Sequence, residues 1–110
     1  MAKGVLIALM NPVSPNREDE FNKWYNTVHG PELLSIRGFT SLTRYKAKAQ
    51  AIPPSPEPHY RYVAIYELSD TDEALSNLAS KAPTIQTSDS VDFPNALGIA
   101  FEKIYSSKGD

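Results

Sequence analysis

The chain has 110 residues, of which 41% are hydrophobic and 22% charged, enough for one domain with one core and too few for two. It contains no cysteine, which excludes disulfides, thiolate metal sites and cysteine nucleophiles and fits a cytoplasmic protein. The formal net charge is -2 and the basic residues are scattered among acids, so nucleic-acid binding is not expected.

The first predicted element is a buried strand at residues 5–10. Its sequence, Val-Leu-Ile-Ala-Leu-Met, is apolar at every position, which is typical of a central strand covered on both faces. The run is too short for the apolar region of a signal peptide. Nothing in the sequence approaches the roughly 20 apolar residues that a membrane span requires.

An amphipathic helix is predicted next, from about residue 16 to residue 29. At about 100° per residue, its apolar stripe consists of Phe21, Trp24, Tyr25 and Val28. We expect the helix to end at His29, because Gly30 is typical of the left-handed position after a helix and Pro31 cannot continue it. A short helical turn at residues 32–35 should follow.

Two further strands flank a proline-rich segment. The strand at residues 38–48 is relatively polar, so it is expected at a sheet edge. Four prolines in residues 51–58 predict an extended, semi-rigid loop. In the strand at residues 38–48, alternation places four side chains on one face: Phe39, Ser41, Thr43 and Tyr45. In the strand at residues 60–68 it groups Tyr60, Tyr62, Ala64 and Tyr66.

The rest of the chain completes a recognisable order of elements. Asp70 and Glu73 have the spacing of a capping box, which predicts a helix at residues 71–82. Residues 97–105 predict the fourth strand. The order is β-α-β-β-α-β, the ferredoxin-like plan. The predicted fold class is therefore α+β, with a four-stranded antiparallel sheet in a single domain over residues 1–110.

This plan leaves one face of the sheet without helices. Half of the apolar first strand would lie on that face, and an exposed apolar face is typical of an interface. A second copy packed sheet to sheet with two-fold symmetry is the simplest partner. We therefore predict a homodimer.

One histidine beside aromatic residues is the main indication of chemistry. His29 could act as an acid or base at neutral pH, or its charge could offset the helix dipole. The candidate substrate-pocket residues are aromatic: Trp24, Tyr25, Phe39, Tyr62 and Tyr66. Trp24 and Tyr25 fit the core better than a pocket, whereas Tyr62 and Tyr66 fit either a pocket or the dimer interface. We expect Arg44 and Glu67 either to face solvent or to form an ion pair with each other. His59 is expected on the surface.

No metal site or cofactor is predicted. Two histidines 30 positions apart, without other suitably spaced ligands, do not make a metal site. A lone histidine can ligate haem iron, but one residue does not establish a haem site. The chain also lacks the glycine-rich motifs of nucleotide binding and the nucleophile motif of serine hydrolases.

The helix and the turn after it resemble a known superfamily. The pattern F-x-x-W-Y-x-x-x-H, then P-E, then G-F is similar to the dimeric α/β-barrel superfamily, above all its EthD-like branch. The matching residues are Phe21, Trp24, Tyr25, His29, Pro31, Glu32, Gly38 and Phe39. Gly30 stands where a larger apolar residue is usual, which could widen the pocket mouth, and the 51–58 segment is unusually long.

The resemblance implies two classes of function. The first is a small cofactor-independent enzyme that acts on a hydrophobic, aromatic or polyketide-like metabolite, with His29 as acid or base. Isomerase, cyclase, lyase and monooxygenase reactions all fit it. The second is a non-catalytic homodimer that binds a hydrophobic ligand or acts as a stress-type module. An effector-sensing domain of a regulator is disfavoured, because no helix-turn-helix segment is attached.

Overall fold

The computed structural model describes residues 2–109. The strands are β1 (Gly4–Met10), β2 (Phe39–Lys46), β3 (Gln50–Ala51), β4 (Pro54–Ser55), β5 (Tyr62–Leu68) and β6 (Leu97–Glu102). The helices are α1 (Glu18–Trp24), α2 (Gly30–Leu34) and α3 (Thr71–Lys81). A π-helical turn, Tyr25–His29, joins α1 to α2, and single 3-10 turns lie at Pro15–Arg17, Ala82–Thr84 and Phe93–Asn95.

The main sheet has four antiparallel strands in the order β2-β5-β1-β6. This order confirms the α+β, ferredoxin-like prediction, including the central position of β1 and the edge position of β2. The helices cover one face of the sheet and enclose the core there. Its buried residues include Leu6, Phe21, Tyr25, Leu33, Ile36, Phe39, Tyr62, Tyr66 and Leu68.

The opposite face of the sheet is apolar, and no helix within residues 2–109 lies over it. Residues directly opposite each other in an antiparallel sheet point to the same face. One cross-strand row joins Ile65, Ile7 and Ile99, and the next joins Val63, Leu9 and Leu97. We call this surface the open face; its members on β6, Leu97, Ile99 and Phe101, are 45–47% exposed.

The first helical segment corrects one prediction. It does not end at His29 but continues through the π-helical turn into α2. Gly30 has right-handed angles, φ -58° and ψ -55°. A Cβ there would lie 2.7 Å from Leu42 Cδ2 and 2.9 Å from the Tyr25 carbonyl oxygen, so close packing requires the glycine. The missing side chain therefore does not widen a pocket mouth.

Two predictions around β2 are also wrong. A bulge between Phe39 and Ser41 inserts Thr40, which turns Phe39 to the buried face, away from Thr43 and Tyr45. The proline-rich segment is not a continuous extended loop, because β3 and β4 pair as a small hairpin outside the main sheet.

The second half of the fold follows its prediction closely. The Asp70 carboxylate accepts hydrogen bonds from the backbone N–H groups of Asp72 and Glu73, which starts α3. The Glu73 carboxylate does not complete the expected capping box; it pairs with Arg37 Nε at 2.8 Å. The last strand ends at Glu102, and Tyr105, included in the predicted strand, is 79% exposed beyond it.

Candidate functional site

His29 lies inside the molecule. It is the last residue of the π-helical turn and only 8% of its surface is exposed. Its ring stacks on Trp24, with centroids 4.7 Å apart and planes 17° apart, and meets Tyr25 edge-on at 4.9 Å. The imidazole therefore belongs to an aromatic cluster between helix and sheet, and it does not cap the end of a helix in solvent.

The π-helical turn explains how Trp24 and His29 come together. Residues five apart in an α-helix point about 140° away from each other. A π turn closes on hydrogen bonds to the fifth residue back, and here the Gly30 N–H donates to the Tyr25 carbonyl. The wider turn brings residues five apart into register, so the indole and the imidazole can stack. Such turns occur frequently at functional sites.

The imidazole of His29 is uncharged at neutral pH. Burial is the main cause that lowers its pKa to about 4, and the positive charge of Arg44 acts in the same direction. The nearby Glu32 carboxylate opposes this shift. The Nδ1 atom is buried and has no hydrogen-bond partner within residues 2–109.

Arg44 is the residue that the sequence did not assign to the site. It extends from β2 under the helices, with its guanidinium carbon 4.3 Å from the centre of the Tyr25 ring. Nη1 donates to Asn26 Oδ1 at 2.8 Å and Nη2 to Asn22 Oδ1 at 2.9 Å. Glu67, its suggested partner, lies on the open face. The sequence carried one signal for an inward Arg44: strand alternation puts it on the same face as the apolar Leu42.

Arg44 has no carboxylate partner in the described part of the chain. None of the ion pairs there includes it, and its Nε atom is buried without a hydrogen-bond partner. Burial lowers the pKa of its guanidinium, although arginine still keeps its proton at neutral pH. The cluster thus holds an uncompensated positive charge beside a neutral histidine.

Tyr25 and Tyr66 form a buried pair of hydroxyl groups. The Tyr66 hydroxyl donates to the Tyr25 oxygen at 3.0 Å. Burial raises the pKa of both phenols, so both stay protonated at neutral pH.

The predicted pocket residues all lie on the helix-covered side. Trp24, Tyr25 and Tyr66 join His29 directly or through one neighbour, while Phe39 meets the Tyr66 ring at 5.6 Å. Tyr62 packs farther along, against Phe21 at 5.3 Å. Both candidate tyrosines of β5 are therefore away from the open face. His59 is exposed, as expected.

Two cavities in the described part of the chain lie away from the aromatic cluster. One, of about 450 Å³, lies at one end of the main sheet beside Val5, Glu67 and Phe101. The other, of about 680 Å³, lies under the proline-rich hairpin beside Glu18, Lys46 and His59. The aromatic side chains fill the space between helix and sheet, since Tyr25 is 2% exposed and Tyr66 is fully buried.

Metal-binding groups and membrane-spanning helices are both absent from the described residues. Residues 2–109 contain no group of three or more His, Cys, Asp or Glu side chains that could hold a metal ion. No helix in the same described range combines the length and apolar character needed to cross a bilayer.

Comparison with known proteins identifies relatives by fold. No protein-family model matches the sequence, and no curated protein matches it significantly. An ethyl tert-butyl ether d (EthD) family protein from Bacillus halodurans C-125 is 12% identical, covers 94% of this chain and 100% of its own, and has a TM-score of 0.58. HapK from Hahella chejuensis is 14% identical, covers 97% of this chain and 98% of its own, and has a TM-score of 0.61.

These likenesses confirm the ferredoxin-like α+β fold that the resemblance implied. At identities of 12% and 14% they show a shared architecture. A shared architecture does not fix an activity, so any function depends on the chemistry of the cluster around His29.

Proposed function

We propose that this protein is a small cofactor-independent enzyme that acts on a hydrophobic, aromatic or polyketide-like metabolite, with His29 as the acid or base. The observation that carries the proposal is a buried, neutral imidazole whose Nδ1 has no partner, held against aromatic rings. Buried nitrogens of purely structural histidines are normally hydrogen-bonded, so an unpartnered one calls for an explanation.

The chemistry requires one positioned base. A neutral imidazole can take a proton from carbon next to a carbonyl and return it elsewhere, which suffices for isomerisation, cyclisation or carbon–carbon cleavage. Its pKa of about 4 makes it a weak base in the free protein. An anionic intermediate close to the ring would raise that pKa as the proton moves, because opposite charges stabilise each other.

The proposed route to His29 passes Trp24. That side chain is only half-buried, and its outer neighbour is Phe93, whose ring lies 6.4 Å away and is 40% exposed. Displacement of these two rings would expose the imidazole face that stacks on Trp24 to a flat hydrophobic molecule, which would then take their place in excluding water.

Haem finds no support in this geometry. Axial ligation needs a histidine nitrogen that faces a space as wide as the macrocycle. His29 Nδ1 is enclosed and neither large cavity borders that residue. The proposal therefore assigns the chemistry to side chains of the protein.

The experiment measures carbon-bound proton exchange. The protein is incubated in D₂O with 2-tetralone and with 2-acetyl-1-tetralone, and deuterium uptake beside the carbonyl is followed by mass spectrometry. We expect uptake above the buffer rate for the wild type and the buffer rate for His29→Gln. His59→Gln, which changes the exposed histidine, is the matched control and should retain the wild-type rate.

A non-catalytic, ligand-binding homodimer is the second candidate. The apolar rows of the open face favour it, because they indicate a dimer interface whether or not His29 is catalytic. Tight binding of the two ketones without any deuterium uptake by the wild type would select this function and reject the enzyme.

The proposed assembly is a homodimer through the open face. Its isoleucine and leucine rows are continuous across β5, β1 and β6, and a second copy would cover them by two-fold symmetry.

A further inference from the structure

The aromatic cluster has more hydrogen-bond donors than acceptors. Trp24 Nε1 and Arg44 Nε can only donate, and both are buried without partners within residues 2–109. The Tyr66 hydroxyl donates to Tyr25, so the proton of the Tyr25 hydroxyl still needs an acceptor. No described hydrogen bond provides one.

The amide acceptors that lie close by are already occupied, and His29 Nδ1 is the one imidazole nitrogen left buried without a partner among the described residues. Asn22 and Asn26 use their side-chain oxygens for the two terminal nitrogens of Arg44. The Nδ2 atom of Asn22 donates to the Tyr62 hydroxyl at 3.3 Å. Rearranging the described partners would therefore leave a surplus of donors.

The groups without partners all surround one ring. Measured to the Tyr25 ring centre, the Arg44 guanidinium carbon is 4.3 Å away, and the His29 and Trp24 ring centres are 4.9 Å and 5.7 Å away. The donors and the positive charge thus belong to a single site, which is the site proposed for catalysis.

We infer that this cluster binds the oxygen of an acidic, flat hydrophobic molecule, an enol or phenol bound as its anion, with Arg44 Nε and the Tyr25 hydroxyl as donors. An oxyanion supplies the negative charge that the cluster lacks and further acceptor lone pairs for its surplus donors. The inference deepens the proposed function, on which it rests, by naming the substrate class and adding Arg44 as a substrate-binding residue.

The test compares two probes of nearly the same shape. 2-Hydroxy-1,4-naphthoquinone is an anion at pH 7, whereas 2-methoxy-1,4-naphthoquinone is neutral. Titration calorimetry gives the two dissociation constants. Fluorescence quenching reports the location, because Trp24 is the only tryptophan of the chain and lies in the cluster. We expect the anion to bind at least about tenfold more tightly, as charge-assisted hydrogen bonds allow.

Variants separate this site from other cationic surfaces. Arg44→Met should remove the preference for the anion, and Arg44→Lys should keep part of it. Arg37→Met, at an exposed arginine in the turn between α2 and β2, should keep all of it. Equal affinity for both probes in the wild type, no binding of either, or full preference in Arg44→Met would overturn the inference. If Arg44→Met fails to fold, the wild-type comparison and Arg44→Lys still decide.

The outcome is separable from that of the proposed function. His29→Gln should lose deuterium exchange while it retains the preference for the anion. A different result would be that His29→Gln loses exchange but the wild type shows no preference for the anion. That result would leave the enzyme proposal standing and reject the oxyanion site.

Discussion

At the scale of single residues, the cluster around His29 is costly to fold. A buried polar group without a partner destabilises the folded state by about 1–3 kcal/mol, and Trp24, His29 and Arg44 each contain such an atom. Replacing these groups by apolar ones would remove the penalty. Their presence together in one place is the physical reason for assigning binding and chemistry to this cluster.

The depressed pKa of His29 predicts a pH-dependent stability. In the unfolded chain the imidazole takes up its proton near its ordinary pKa of about 6.5, and in the folded protein at about 4. Between these values the unfolded state binds more protons, so the free energy of unfolding falls as the pH is lowered. Glu32 and Arg44 are the charged groups whose opposing effects act on the ring.

The measurement is urea unfolding at pH 7.0 and pH 5.0. We expect His29→Gln to show the smaller loss of stability on acidification, with a difference from wild type of at most about 2 kcal/mol. The wild type and the variant losing the same stability would contradict a depressed pKa for His29.

At the scale of elements, the π-helical turn decides the geometry of the site. The apolar spacing in residues 16–29 predicts the helix, but it assumes a regular α-helical period and therefore cannot show the wider turn at Tyr25–His29. The predicted role of Gly30 and the predicted strand face of Phe39 were wrong for related reasons. The role of Gly30 depends on Leu42 in another element, and the face of Phe39 depends on the bulge at Thr40. The aromatic character of the site was readable locally, whereas the inward turn of Arg44 was indicated only by its position on the same strand face as Leu42.

Substitution of Gly30 tests the packing account of the turn. Alanine usually stabilises a helix relative to glycine by about 1 kcal/mol. Here its Cβ would meet Leu42 and the Tyr25 carbonyl oxygen within 3 Å. We therefore expect Gly30→Ala to destabilise the protein by about 1–3 kcal/mol, measured by urea unfolding. Gly98→Ala is the control, because a Cβ at that position would meet no atom within 4 Å beyond its own chain neighbours. A stabilised Gly30→Ala variant would contradict the account.

At the scale of the whole molecule, the two faces of the sheet have different tasks. The face under the helices holds the core and the aromatic cluster, whereas the open face carries isoleucine and leucine rows with nothing over them in a single chain. The β-α-β-β-α-β order made this division predictable from sequence. It also places the proposed active site and the proposed dimer interface on opposite sides of one layer.

The open face predicts a dimer that one substitution can break. Light scattering should give twice the chain mass of 12.2 kDa for the wild type at micromolar concentration. Ile99→Glu puts a charge on the open face at an edge strand and should give the monomer mass. Ile104→Glu changes an isoleucine that is 96% exposed outside the sheet and should remain dimeric. A monomeric wild type would reject the interface.

The most direct measurement for the central claim is the rate of deuterium uptake by 2-acetyl-1-tetralone with wild type, His29→Gln and His59→Gln at pH 7. General base catalysis typically contributes about 10²–10⁴-fold. We predict a loss of at least about 100-fold in His29→Gln and none in His59→Gln. Equal rates in the wild type and a folded His29→Gln variant would contradict the catalytic role of His29.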